Sequence, residues 1–203
     1  MQTDLYSPAM AVAKGTFDRR RRLIDTALAL FSSGGYHATG IDRITAASGV
    51  AKMTLYKNFR TKDALIVAAL ETCDAAFREW IAAEIERRAK TPEQKLLAFF
   101  DAYGAWFEGG FNGKFTGCSF VKAAGEYADP HDPIRAVAAA HKKAVLREII
   151  TLATEASLRE AETISRQLFL LLEGALSVAT LQGNAASIRD AKAAASALIS
   201  LAS

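Results

Sequence analysis

Residues 39–59 read TGIDRITAASGVAKMTLYKNF, and this stretch decides the fold. Thr39 can serve as the N-cap of a short helix, and Asp42 completes a pattern like a capping box. The apolar residues that follow extend this helix over about 40–48. Gly49 ends it, because glycine adopts the left-handed backbone of a tight turn without a steric penalty.

A second short helix must begin almost immediately after this turn. It is predicted over residues 52–58, with apolar anchors at Val50, Leu55 and Phe59. Thr61 can then cap a longer helix that follows. Two short helices joined by a glycine turn have the dimensions of a helix-turn-helix, whose second helix enters the major groove of DNA.

The residues before this stretch predict a helix preceded by an arm. Residues 1–18 include Pro8 and Gly15 and show no periodicity, so we expect a flexible arm there. From Arg19 onward, apolar residues recur at helical spacing until Gly34. The members of this stripe are Leu23, Ile24, Ala27, Leu28 and Phe31.

The rest of the chain predicts further helices and no strand. No segment alternates with a period of two residues for long enough to form a strand. Helices are predicted at about 62–90, 93–108, 117–128, 133–156, 160–182 and 186–202. We therefore predict an all-α protein, with a three-helix DNA-binding domain at 19–66 and a helical domain at 67–203.

Positive charge is concentrated near the N-terminus. Residues 1–70 hold 10 Lys and Arg against 5 Asp and Glu, whereas residues 71–203 hold 15 against 17. A basic cluster in one small module suits a polyanionic partner, although a solvated basic surface gives the same count.

The predicted second helix of the motif presents several side chains to solvent on one rim. A lysine can reach the acceptor edge of guanine, and a methionine can contact the thymine methyl group. Hydroxyls and amines can bond phosphate oxygens. The candidate DNA contacts on this helix are Lys52, Met53, Thr54, Tyr56 and Lys57.

The run ALALFSSGGYHATGIDRITAASGVAKMTLYKNFRTKDAL, within residues 19–66, resembles the DNA-binding domain of the tetracycline-repressor (TetR) family. The resemblance implies a recognition helix at Ala51–Asn58 and a phosphate contact by Tyr56. It implies another by Lys62, a cation whose place in the first turn of a helix otherwise opposes the helix dipole.

One position departs from the family pattern. Family members usually carry Ser or Thr after the cap of the second helix, where the hydroxyl contacts phosphate, but this chain has Gly40. We expect Thr39 or Arg43 to make that contact instead.

The resemblance also implies that the C-terminal domain binds a small molecule and dimerises. The segment 160–202 supports dimerisation, since it is apolar on more than one face; burial inside one large monomer is the alternative. The candidate interface residues are Leu168, Leu172, Ala175, Leu176, Ala179 and Leu198.

Aromatic residues at helical spacing run through the middle of the chain. Such a stripe forms core more often than a pocket, but ligand cavities in helical bundles are lined in the same way. The candidate ligand contacts are Phe99, Tyr103, Trp106, Phe107, Cys118, Phe120, Lys122, Glu126 and His141. Cys118 lies in a segment resembling a Gly-Cys stretch of a family subset, and we interpret it as a buried apolar residue rather than a sensor thiol.

Other functions have less support from the sequence. No Glu-x-x-His pairs, catalytic triad order or phosphate-binding loop predicts an enzyme, and no cofactor or metal is predicted. Asp129, His131 and Asp132 are expected to cap a turn. The prediction is a cytoplasmic homodimeric regulator, a repressor that a small-molecule effector releases from a near-palindromic DNA operator. A helical adaptor that binds other proteins is the alternative.

Overall fold

The computed structural model describes the backbone of residues 8–203 and side chains from residue 18 onward. This part of the chain forms nine α-helices and no strand, which confirms the all-α prediction. The helices are α1 (Pro8–Gly34), α2 (Ile41–Ser48), α3 (Lys52–Asn58), α4 (Lys62–Arg88), α5 (Pro92–Phe107), α6 (Ser119–Glu126), α7 (Pro133–Glu155), α8 (Ala161–Gln182) and α9 (Ala186–Ala202).

The first helix begins earlier than the sequence pattern indicated. It starts at Pro8, so the predicted flexible arm over 1–18 is wrong for residues 8–18; residues 1–7 lie outside the described part. Proline suits the first turn of a helix, where its missing N–H is not needed, and residues 9–14 are mostly good helix formers. Helix propensity therefore outweighs the absence of an apolar stripe here.

Contacts divide the chain into two units. The first unit contains the N-terminal residues through Cys73 together with Cys118–Ala138, and the second contains Asp74–Gly117 and Ala139–Ser203. The predicted boundary at residue 66 did not anticipate that α6 belongs with the N-terminal helices. In the first unit, α1, α2 and α3 pack around fully buried Leu23, Phe31, Ile44, Leu55 and Leu65.

In the second unit, α5, α8 and α9 pack against one another. The Thr91 side chain and the Gln94 side chain form a capping box at the start of α5. Lys192 of α9 donates to both carboxylate oxygens of Asp101 of α5 at 2.7 Å. Ser187 donates to the carbonyl of Ala175 at 2.8 Å, which ties the start of α9 to α8.

Helix α8 is apolar on two faces, and the structure shows which one packs inward. Four of the six predicted interface residues, Leu168, Leu172, Leu176 and Ala179, are at most 3% exposed within the subunit, so their assignment to a dimer interface is wrong. Their i, i+4, i+8, i+11 spacing places them on one stripe that completes this unit's core. Ala175 and Leu198 instead line an apolar groove.

By length and composition, α8 is also the one described helix that could cross a membrane. This is weak evidence, because a core helix of a soluble protein meets the same criterion. The inward stripe and the groove account for its apolar residues.

Candidate nucleic-acid interface

The turn between α2 and α3 is built as the sequence predicts. Gly49 has a φ of 64°, the left-handed conformation that a glycine adopts without strain. The Ser48 hydroxyl accepts a hydrogen bond from the Val50 amide at 3.3 Å. Val50, Leu55 and Phe59 are at most 4% exposed, so the three anchors hold α3 against the core.

The opposite face of α3 is open to solvent and unusually apolar for a surface helix. Met53 is 72% exposed and Tyr56 is 46% exposed. Lys57 is also exposed, and Thr54 is half-buried. Large apolar side chains kept in water on a short helix are expected where a partner covers them.

Lys52 at the start of α3 is held by an acidic neighbour. Its ammonium lies 2.7 Å from the Asp42 carboxylate, and this hydrogen bond raises the pKa of Lys52. Both side chains are more than half exposed. Asp42 therefore pairs with Lys52 and does not complete the predicted capping box; a DNA acceptor would compete with it.

The predicted role of Thr39 is wrong. Gly40 is the N-cap of α2 and no side chain caps this helix. Thr39 is fully buried, and its hydroxyl donates to the carbonyl of Gly35 at 2.7 Å. The threonine hydroxyl closes the α1–α2 loop, so we remove Thr39 from the candidate DNA contacts.

Arg43 and Gly40 both remain open to solvent. Arg43 is exposed on the first turns of α2. A Cβ built on Gly40 meets nothing within 4 Å, and the φ of Gly40 is −84°, which any residue can adopt. Of the two residues expected to replace the family hydroxyl, only Arg43 is exposed.

Lys62, in the first turn of α4, lies beside the α1–α2 loop. The Thr61 hydroxyl accepts a hydrogen bond from the Ala64 amide at 3.0 Å, which confirms the predicted cap. The Lys62 ammonium donates to the carbonyl of His37 at 3.1 Å. Its charge is thus held at the start of α4, without a carboxylate partner at hydrogen-bond distance among the described residues.

Helix α6 is fastened to the same α1–α2 loop through Glu126. The carboxylate accepts the amides of Tyr36 at 2.8 Å and His37 at 2.6 Å. The His37 ring donates from Nε2 to the Glu126 carbonyl at 2.9 Å. Gly35, with a φ of 86°, allows this approach, since a Cβ there would lie 3.2 Å from the carboxylate. We call these contacts the α6 latch.

Further contacts complete the α6 latch. Lys122 donates to the carbonyl of Ser32 at 2.7 Å, and the Tyr36 hydroxyl donates to the carbonyl of Ser119 at 3.0 Å. Burial raises the pKa of Tyr36, so its phenol stays a donor. Burial would raise the pKa of Glu126, but the two backbone amides outweigh it and hold that pKa below the usual value.

The nine predicted ligand contacts divide between the two units. Cys118, Phe120, Lys122 and Glu126 lie in the first unit, and Phe99, Tyr103, Trp106, Phe107 and His141 lie in the second. The polar ends of Lys122 and Glu126 are occupied by the α6 latch. Cys118 is 8% exposed, and the Lys122 ammonium that could stabilise its thiolate is bonded to Ser32, which suits the buried apolar role.

Seven aromatic residues of the second unit and His141 form one connected cluster, whose other members are Phe77, Trp80, Tyr103, Trp106, Phe107, Phe111 and Phe115. Phe77 contacts Trp106 at a ring-centroid distance of 4.7 Å and Phe111 at 5.3 Å. His141 is 2% exposed and its Nδ1 lies 2.7 Å from an Asp74 carboxylate oxygen. Burial lowers the pKa of His141 despite this hydrogen bond, so the ring favours the neutral form.

The turn at 129–133 is a structural turn, as predicted. Asp129 accepts the amide of His131 at 2.9 Å, and Asp132 accepts the amide of Ile134 at 2.7 Å. Both carboxylates therefore cap backbone groups.

Two features of this region were not predicted from the sequence. Arg20 makes a cation-π contact with the Phe59 ring, with its guanidinium carbon 5.1 Å from the ring centroid. Glu126 holds the α1–α2 loop from a position about 90 residues later in the chain. The four consecutive arginines at 19–22 are a sequence signal for the contact of Arg20 with Phe59. No local pattern indicates the contact of Glu126 with the α1–α2 loop.

Two family models match the chain. The model for bacterial regulatory proteins of the tetR family matches residues 23–69. The model for the tetracyclin repressor-like C-terminal domain matches residues 92–195. The first match covers α2, α3 and the turn between them, and the second covers most of the C-terminal helices.

Individual proteins agree with these models. The HTH-type transcriptional regulator YjdC of Escherichia coli strain K12 is 26% identical over 159 residues, 78% of this chain and 82% of that protein. The HTH-type transcriptional repressor KstR of Rhodococcus jostii strain RHA1 is 43% identical over 53 residues, 26% of this chain and 25% of that protein. The crystal structure of SCO4454, a TetR-family transcriptional regulator from Streptomyces coelicolor, has a TM-score of 0.80 and 26% identity, covering 91% of this chain and 95% of that one.

Proposed function

Because this chain belongs to the tetR family of bacterial regulatory proteins, we propose that it is a repressor released from a near-palindromic operator by a small-molecule effector. The family consists of DNA-binding transcriptional regulators and not enzymes, and the comparisons give the adaptor alternative no support. Repression, release and operator symmetry are our proposals, as is a cytoplasmic location beside the DNA.

The observation that carries the proposal is the exposed face of α3. Met53 and Tyr56 stay in water on a helix whose other side is anchored by Leu55. A helix of this size fits the major groove, with Lys52 and Met53 at base edges and Tyr56 and Lys57 at phosphates. Thr54, Arg43 and Lys62 complete the proposed contacts.

Selection of bound duplexes from a random library by the full-length protein tests this assignment. We expect enrichment of one motif with two related half-sites about one helical turn apart, since two-fold protein symmetry is matched by the operator. Recovery of unenriched sequence would contradict specific binding. Enrichment of a single half-site would contradict binding by a two-fold symmetric dimer.

An apolar groove between α8 and α9 supports dimerisation. Leu170 is 68% exposed and Leu201 is 74% exposed, and both line this groove. Gly174, Ala194 and Ala197 also line it, and their small side chains allow close helix approach. We propose that a second copy of the chain covers the groove, so that two helices from each subunit form a four-helix interface.

Light scattering at micromolar concentration tests the dimer. We expect the wild type to be a dimer and the double variant Leu170→Glu, Leu201→Glu to be monomeric, because two buried carboxylates per subunit would remain unpaired. Leu181→Glu is the matched control, since Leu181 is 86% exposed but does not line the groove. A monomeric wild type would contradict the assignment.

For the effector, we propose the aromatic cluster of the second unit, which includes Tyr103, Trp106, Phe107 and His141, together with the buried Phe99 of the same unit. Aromatic walls with a few polar groups are typical of small-molecule sites in helical proteins. Two covalent connections between the units offer a route from effector binding to DNA release. Helix α4 contributes residues to both units. The segment Cys118–Ala138, which contains the α6 latch, is joined at both of its ends to residues of the second unit.

Intrinsic fluorescence offers a direct test of the effector site. The chain has two tryptophans, and both Trp80 and Trp106 belong to the aromatic cluster. A library compound that changes tryptophan emission should also weaken operator binding. Linkage then requires operator DNA to weaken binding of that compound by the same factor, about 5- to 150-fold for a coupling of 1 to 3 kcal/mol. Equal calorimetric affinities with and without DNA would show that the compound is not the effector.

A further inference from the structure

Arginines 19–22 in α1 do not share one environment. Arg21 lies 2.8 Å from Asp25, and Arg22 lies 2.7 Å from Asp18, each one helical turn away. Arg20 forms no ion pair with a described carboxylate, and its guanidinium carbon lies over the ring of Phe59, 5.1 Å from the centroid. Asp25 and Asp18 thus pair with Arg21 and Arg22, whereas Arg20 faces the Phe59 ring.

Phe59 marks the C-terminal end of the recognition helix. It is the C-cap residue of α3, and its amide donates to the carbonyl of Leu55 at 2.8 Å. Lys57 and Arg60 flank it in sequence, and both are exposed and unpaired with any carboxylate in the described part of the chain. One cation from α1 therefore lies over the Phe59 ring, and two more lie within two residues of Phe59 in the chain.

The contact with Phe59 leaves the N–H donors of Arg20 available. An aromatic ring offers no oxygen or nitrogen acceptor, Arg20 is exposed, and the planar N–H fork of a guanidinium matches two phosphate oxygens. A cation-π contact is worth about 0.5 to 1 kcal/mol at an exposed site and also restrains the side chain. Arg20 is thus positioned for an acceptor beyond the end of α3.

We propose that Arg20 and Arg60, together with Lys57, form a second phosphate-binding cluster at the C-terminal end of α3, separate from Lys62. The inference rests on the proposed DNA binding and extends it to α1. These cations also complement the negative end of the α3 dipole, which would give a purely structural explanation of their position. Salt dependence distinguishes the two, because only phosphate contacts release counterions from DNA.

The test measures binding of the full-length protein to a random-sequence 30-base-pair duplex from 50 to 300 mM salt. We expect Arg20→Gln and Arg60→Gln each to reduce the slope of log affinity against log salt by about 0.9 for every phosphate that is no longer neutralised. Each variant should also weaken DNA binding on the order of fivefold at 0.1 M salt. Arg20→Lys should keep the wild-type slope, because it retains the charge.

Arg21→Gln is the matched control on the same helix and should leave the slope unchanged. If Arg20→Gln and Arg60→Gln behave like Arg21→Gln while Lys62→Ala lowers the slope, the second cluster is wrong and the proposed function stands. A wild-type protein that binds no DNA overturns both. Arg60 is exposed, so a glutamine there should leave the fold intact and keep the test informative if Arg20→Gln unfolds.

Discussion

Helices α3 and α6 are nearly equal in length and lie in the same unit, but their side chains are used in opposite ways. Helix α3 has seven residues and holds Met53 and Tyr56 in solvent. Helix α6 has eight residues, and its Lys122 bonds the carbonyl of Ser32 near the end of α1, while its Glu126 bonds amides of the α1–α2 loop. Helix α3 thus leaves its exposed side chains available to another molecule, whereas α6 uses its polar side chains in contacts within the subunit.

This difference predicts whether a substitution in each helix changes DNA binding or stability. Side chains that contact only water contribute little to the free energy of unfolding, so substitutions on the open face of α3 should alter DNA binding alone. Side chains that satisfy backbone amides stabilise the fold, and removing them leaves those donors unpaired. Substitutions in α6 should therefore alter stability first and DNA binding through the loop.

The largest effect is expected at the base-contacting end of α3. Lys52→Ala should weaken binding to the selected operator by about tenfold, within the 1 to 3 kcal/mol expected for one base contact, and should change the preferred bases. Tyr56→Phe should weaken all sequences about equally, because it removes a phosphate contact. A repeated selection with each variant measures both; an unchanged motif for Lys52→Ala would show that α3 is misassigned.

Glu126→Gln should lower the free energy of unfolding by at least about 1 kcal/mol at pH 7, because the single glutamine oxygen can accept only one of the two amides, of Tyr36 and His37, and the other amide loses its acceptor. The folded-state pKa of Glu126 is lowered, so its contribution is present above the unfolded value of about 4.3 and is lost as the pH falls through the folded value. Urea unfolding should show the difference from wild type shrinking below about pH 4.

The control for this variant is Glu162→Gln, which changes an exposed carboxylate that is paired with Arg166 on the surface of α8. It should change stability by less than about 0.5 kcal/mol. Equal losses for the two variants would mean that the α6 latch adds nothing beyond an ordinary surface pair.

Gly40→Ser should modestly increase both the stability of α2 and the affinity for DNA. The Cβ position is open and the backbone is already extended, so a serine can cap α2 and present the hydroxyl that the family uses on phosphate. We expect a few tenths of a kcal/mol in stability and a two- to fivefold gain in DNA affinity at 0.1 M salt. Gly40→Ala separates the effects, because it has no hydroxyl; an equal gain with alanine would exclude the phosphate contact.

The smallest effect is expected at Asp42. Asp42→Asn removes the carboxylate that holds Lys52, so the ammonium becomes free for DNA, and we expect about a twofold gain in affinity. The gain should shrink at high salt, since both groups are exposed and their interaction is screened. Weaker DNA binding would instead show that Asp42 positions Lys52 for its contact.

Local patterns in the sequence were sufficient for the order of the nine described helices and for the α2–α3 turn, although not for the start of α1. Gly49 at positive φ, the Thr61 cap and the buried anchors Leu55 and Phe59 follow from capping rules and apolar spacing, which act over a few residues. The prediction of α3 as an exposed recognition helix used the same short-range information together with the family resemblance.

Only the tertiary structure decided which side chains meet across long stretches of chain. The apolar spacing of α8 suits both of its faces, so the choice of Leu168 and Leu172 as core depended on packing against other helices. Thr39 had the right identity for a cap but was buried by the α1–α2 loop. The bond from Glu126 to His37 joins residues that no periodicity relates, because such contacts depend on how distant helices pack.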